Sequence, residues 1–160
     1  MNERIVGNVA KKLLHLEDNG YILKQTLRFL KEDGYEVVHF TRIDQAIDYL
    51  GKNPNGEGID CIITDLNMED EWLGKYRGES DGGLMSGWVW LMRFVYVIKG
   101  YLKIPCIIYS GYIPDLKDYL KNRNESHLLS DYPVSCVSKG GNNDNGYNAL
   151  AAKLEEILKE

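Results

Sequence analysis

Five short apolar runs constrain the fold more than any other feature of the chain. They are Lys11–Leu16, Tyr35–Phe40, Ile59–Thr64, Ile104–Tyr109 and Pro133–Ser138, each of strand length and each followed by polar or glycine residues. Between them the period becomes helical: Leu23, Leu27 and Leu30 recur at helical spacing, as do Ile43, Ala46, Ile47 and Leu50, and later Leu150, Leu154, Ile157 and Leu158. Gly34 and Gly51 read as helix stops, Thr41 as an N-cap and Pro114 as an N1 residue. Strands alternating with helices build βαβ units, and right-handed crossovers put helices on both faces. The expected fold is α/β, a five-stranded parallel sheet, doubly wound.

Two stretches resist this simple reading. Residues 69–86 are charged and glycine-rich with Trp72, Leu73, Tyr76, Leu84 and Met85 embedded, and read as a long loop: a mobile excursion, a lid or a partner surface. Trp88 to Lys99 is apolar nearly all round. Its length favours a helix, with Trp88, Leu91, Met92 and Val95 on one stripe and Trp90, Phe94 and Val97 on another. One stripe faces the sheet. The other needs cover from the 69–86 stretch or from a second subunit, which raises a homodimer as an expectation. Residues 1–10 read as an N-terminal extension, Asn122–Asp131 as a polar connector, and the whole of 1–160 as one domain.

Charge and cysteine usage narrow the function classes. A net charge of −5 and no basic run argue against nucleic-acid binding. The longest apolar stretch is interrupted by Arg93 and too short to span a bilayer, and no signal peptide is evident, so no membrane role and a cytoplasmic location are expected. Cys61, Cys106 and Cys136 each fall in a predicted strand without metal-ligand spacing and read as reduced structural thiols. His15 and His39 read as structural.

The chemistry gathers at the carboxyl ends of the strands, where open α/β sheets place their ligands. Glu17-Asp18 follow the first run, Asp65 the third, Ser110-Gly111 the fourth and Lys139 the fifth. Singly these are a turn with an Asx cap, a capping carboxylate, a turn and a surface charge. Together they form one edge. Three carboxylates so close raise one another's pKa values and favour a hard divalent cation. Mg²⁺ fits, with Asp18 and Asp65 as direct ligands, Glu17 through water and a backbone carbonyl near Asn67. Asp65 is then a nucleophile toward phosphorus, with Lys139 and the Ser110 hydroxyl on the phosphoryl oxygens.

The chain resembles a response-regulator receiver domain. The resemblance rests on Lys11-Lys12-Leu13-Leu14-His15-Leu16-Glu17-Asp18-Asn19, Ile62-Ile63-Thr64-Asp65-Leu66-Asn67-Met68, Ile104-Pro105-Cys106-Ile107-Ile108-Tyr109-Ser110-Gly111 and Val137-Ser138-Lys139, in that order. It implies the flavodoxin-like fold, strand order 2-1-3-4-5, with a long insertion between strand 3 and helix 3. It also implies phosphotransfer to Asp65 from a sensor histidine kinase or phosphotransfer protein, and output through contacts with a downstream protein target.

The chain departs from the family pattern at several places. Glu69 stands where proline is usual, Ser86-Gly87 replaces an Asp-Gly turn after the insertion, Cys136 replaces an aromatic residue that couples phosphorylation to the output face, Gly140 replaces a proline, and Tyr112 offers a ring that screens water. Two other readings stand beside the receiver: a phosphorylation-independent pseudo-receiver, and a Mg²⁺-dependent aspartyl-phosphate phosphatase. Asn67 weighs against the latter, since that position would have to supply a general acid. Beyond its own phosphorylation and dephosphorylation, the expected chain is not an enzyme.

Overall fold

The computed structural model describes residues 9–53, 58–98, 100–101, 103–140 and 146–159. Strands β1 (Lys12–Leu16), β2 (Glu36–Phe40), β3 (Cys61–Thr64), β4 (Cys106–Ser110) and β5 (Val134–Ser138) form one sheet in the order β2-β1-β3-β4-β5. Every pairing is parallel, with Leu14 opposite Ile62 and Ile62 opposite Cys106. β3 and β4 are buried at every residue, as strands covered on both faces must be.

Helices α1 (Gly20–Glu32) and α5 (Tyr147–Leu158) cover one face, where Leu13, Ile63, Ile107 and Tyr109 meet Leu30, Leu150 and Leu154. The other face carries Leu14, Leu16, Ile62 and Ile108. Against it lie α2 (Ile43–Lys52), α3 (residues 86–98) and α4 (Ile113–Asn122), through Leu50, Trp88 and Leu116 among others. α3 begins as an α-helix, Ser86–Trp90, and continues in π form over Leu91–Ile98. No helix of the described residues is long and apolar enough to cross a membrane.

Local expectations hold at some ends and fail at others. Asn19 caps α1, its Oδ1 accepting from the N–H groups of Tyr21 and Ile22 at 3.1 and 3.2 Å. Thr41 does not cap α2. Arg42 occupies that position, and the helix start is held instead by Gln45, whose Oε1 accepts from the Thr41 N–H at 3.3 Å, and by Asp44 in the first turn. Gly51 stays helical, and α2 ends only where the Asn53 side chain donates to the Tyr49 carbonyl at 2.8 Å. The 122–131 connector contains a short helix, Leu128–Asp131, because Leu128 and Leu129 find cover against the core. Residues 1–8 of the expected extension lie outside the described residues, as do 141–145 between β5 and α5.

The 69–86 stretch is the largest difference from a plain loop. A 3₁₀ segment, Glu71–Glu79, kinks at Gly74 and lies over α3. Leu73, Ser80 and Met85 are fully buried. Tyr76 meets Phe94 edge-on at 5.8 Å between centroids, and Glu79 accepts two bonds from Arg93. A half-exposed ion pair is worth under about 1 kcal/mol. Each buried apolar side chain contributes about 1.5–3 kcal/mol, so Leu73 and Met85 dominate the hold. The outer side of α3 at Arg93 and Phe94 is thus covered from within the chain, while Val97 remains exposed.

Candidate functional site

The parallel register brings the polar ends of β1, β3, β4 and β5 to one edge. Glu17 and Asp18 leave β1, and Asp65 leaves β3 with its N–H donating to the Leu16 carbonyl at 3.2 Å. Ligand oxygens of Glu17, Asp18 and Asp65 all lie within 4.8 Å of one another. Lys139, just past β5, donates from Nζ to Asp65 Oδ2 at 3.0 Å and to Glu17 Oε1. Its backbone N–H donates to the Ser110 carbonyl at 3.0 Å. Glu17, Asp65 and Lys139 therefore meet directly, and the Asp18 carboxylate lies within 4.8 Å of the other two carboxylates. Ser110 and Asn67 share their edge of the sheet and flank them.

Burial grades these groups. Glu17 and Ser110 are buried, Asp65 and Lys139 half-buried, Asp18 and Asn67 exposed. Burial, then the nearby Asp65 carboxylate, push the Glu17 carboxyl up to about 7, against the pull of Lys139. Asp18 is raised by the same two causes. Burial alone would lower Lys139, but Asp65 and Glu17 outweigh it and raise its pKa. His15 lies buried beneath, pushed down to about 3 by burial and by Lys139, and is neutral.

The sign of the pH dependence follows. Glu17 keeps a proton in the fold that it loses in the unfolded chain, so its contribution is fully present below about 4.5 and is lost as pH rises through about 7. Asp18 adds in the same direction, and Lys139 titrates far above this window. His15 opposes these carboxyls: its pKa in the fold, about 3, lies below the unfolded value, so about 2 kcal/mol is lost between about pH 8 and pH 5. Glu17 alone gains about 2–3 kcal/mol over that range. The metal-free wild type is therefore expected to be nearly flat, while Glu17→Gln loses stability as pH falls. Urea denaturation of both in chelator measures the difference; a Glu17→Gln profile parallel to the wild type contradicts the assigned burial of Glu17.

Three contacts that hold Asp65 are not readable from the sequence. The Thr64 hydroxyl donates to the Asp65 carbonyl at 3.0 Å and accepts from the Trp90 indole at 3.2 Å. The Gly87 N–H donates to the Leu66 carbonyl at 2.9 Å. Gly87 sits so close that a Cβ would lie 1.7 Å from the Asp65 carbonyl oxygen. The only sequence signal for any of them is the Ser86-Gly87 pair. Beside Asp18, a cleft of about 240 Å³ runs between Arg42 and Trp72, bringing the insertion to the rim of the site. The Arg42 guanidinium lies 5.0 Å from the Trp72 ring centre.

The sheet order and the acidic edge invite comparison with solved structures. Chemotaxis protein CheY4 of Vibrio cholerae matches with a TM-score of 0.63 and 20% identity over 94% of this chain and 100% of that one. The phosphorylated cyanobacterial phytochrome response regulator RcpA gives 0.62 and 21%, covering 94% of this chain and 96% of that one. The receiver domain of the hybrid histidine kinase CckA gives 0.58 and 20%, covering 92% and 99%. The chain has the receiver fold. No protein-family model and no curated protein matches it.

Within the receiver fold, the departures from the family pattern have definite places. Cys136 is a half-buried thiol in β5. Where proline would stiffen the loop after Lys139, Gly146 braces it from the far side. With φ of +83° it lies against the Ser138 carbonyl, which a Cβ would approach to 2.5 Å. Tyr112 is 40% exposed, and its backbone N–H donates to Ser110 Oγ at 3.1 Å.

Proposed function

We propose that this chain is a response-regulator receiver domain over residues 1–160 that accepts a phosphoryl group on Asp65 and signals by protein contact. The observation that carries the reading is the Lys139 ammonium bridging Glu17 and Asp65 with Asp18 alongside, at the carboxyl edge of a receiver-type sheet. The donor is a sensor histidine kinase or phosphotransfer protein. The recipient is a downstream protein target, and the setting is the cytoplasm.

Asp65 supplies the attacking oxygen. An O–P bond forms as the bond from phosphorus to the donor's nitrogen or oxygen breaks, and the leaving group carries off that electron pair. Lys139 keeps its proton and turns from the two carboxylates toward the phosphoryl oxygens; the Ser110 hydroxyl donates to another. The donor set suits a hard cation, being oxygen-only with two carboxyls already raised by burial and by the Asp65 carboxylate. Asp18 and Asp65, with Glu17 through water and the Asn67 carbonyl, would hold Mg²⁺, which when bound would supply charge neutralisation during transfer.

Intact-mass analysis after incubation with Mg²⁺ and a small acyl phosphate tests this. A phosphoryl adduct is expected on the wild type and none on Asp65→Asn. Absence of any adduct on the wild type overturns phosphoacceptance and leaves a phosphorylation-independent binding module. Turnover of a generic phosphomonoester points to a phosphatase instead.

A further inference from the structure

We propose that the segment between β3 and α3 is a strap that carries the state of Asp65 to α4. The inference rests on the receiver reading above and names a route peculiar to this chain. At the site end, the turn after Asp65 is stitched to the strap and the start of α3 at three points. The Met68 N–H donates to the Gly83 carbonyl at 3.2 Å, Ser86 Oγ donates to the Met68 carbonyl at 2.8 Å, and Gly87 holds Leu66. The strap's middle is cross-braced: the Met85 N–H donates to the Ser80 carbonyl at 2.8 Å, and Ser80 Oγ donates to Asp70 at 3.0 Å. At the far end stands Glu79. Its carboxylate takes the two Arg93 bonds from α3, and its carbonyl accepts the Tyr119 hydroxyl of α4 at 2.7 Å.

These contacts run unbroken from the phosphoacceptor to α4. The Leu66 N–H already donates to Asp65 Oδ1 at 2.7 Å, so a phosphoryl group on that carboxylate loads the 66–68 turn directly. Leu73, Ser80 and Met85 are fully buried, and closely packed groups transmit displacement instead of absorbing it. Phosphorylation therefore pulls Glu79 away from Tyr119 and loosens α4.

Hydrogen exchange of the α4 amides, with phosphoryl incorporation read by mass on the same samples, tests the strap. In the wild type, phosphorylation is expected to speed α4 exchange about fivefold, within the range that coupled networks produce. Tyr119→Phe removes the far anchor without touching the site. It should incorporate phosphate normally, exchange fast in α4 before phosphorylation, and respond less than about 1.5-fold afterwards. Ser86→Ala, cutting the near anchor, should blunt the response in the same way. Phosphorylated wild type with an unchanged α4, or a full response surviving in both variants, overturns the strap while leaving the receiver reading intact. A wild type that takes up no phosphoryl group overturns both.

Discussion

Replacing Gly87 with alanine is expected to damage both stability and phosphoryl uptake. The added methyl would sit 1.7 Å from the Asp65 carbonyl oxygen and 3.0 Å from Leu66 Cα, and both are backbone atoms that cannot swing aside as a side chain would. Either the first turn of α3 backs away from β3 or the Asp65 peptide moves. The first breaks the Gly87–Leu66 bond and disturbs the Trp90–Thr64–Asp65 contacts. The second shifts the acceptor carboxylate relative to Lys139. Alanine brings about 1 kcal/mol of helix propensity. Overpacking of this kind costs about 1–3 kcal/mol and more where backbone is struck, so a net loss of about 2 kcal/mol is expected by urea denaturation. Uptake of the phosphoryl group should slow at least about tenfold, because an acceptor misplaced by about an ångström loses its alignment. Wild-type stability together with wild-type uptake in Gly87→Ala contradicts the close approach on which the site is built.

The contrast between Asp65 and the residues that hold it shows what a sequence of this kind makes legible. Period-2 and continuous apolar runs locate strands, and a parallel sheet sends every strand end to one edge, so Glu17, Asp18, Asp65 and Lys139 could be placed together before any coordinates. The supports are tertiary. The Trp90 indole reaches Thr64 across 26 positions, and Tyr119 reaches Glu79 across 40. Neither contact has a local pattern. Cover of α3 by the insertion was one of two readings the sequence offered, but the insertion's internal order was illegible for the same reason: its 3₁₀ turns carry little amphipathic period, and its order comes from burying Leu73 and Met85 and from bonds to α3 and α4. At the start of α2 a local rule misleads. Thr41 has the right chemistry for a cap, but Asp44 and Gln45 supply the first turn's needs from inside the helix, and the boundary moves by one residue.

Replacing Lys139 with methionine is expected to have the largest effect on chemistry, with a smaller, pH-dependent effect on stability. Methionine keeps much of the stem's volume, so the change removes chiefly the ammonium that bridges Glu17 and Asp65. Breaking a buried pair by deleting one partner costs about 3–5 kcal/mol when the stranded charge has no escape. Here Glu17 has one: already raised to about 7 by burial and by Asp65, it takes up a proton once Lys139 is gone. The loss should therefore be only about 1–2 kcal/mol near pH 8 and should shrink as pH is lowered toward 5, where Glu17 is neutral in both proteins. Chemistry has no such relief. The charge that builds on the phosphoryl oxygens loses its fixed cationic partner, and removal of a preorganised donor typically costs about 10²–10³ in rate. Single-turnover phosphorylation with an acyl phosphate should show that loss, and acidification should restore stability but not rate. Recovery of both together would mean that Lys139 serves only to neutralise Glu17, and would remove it from the transfer step.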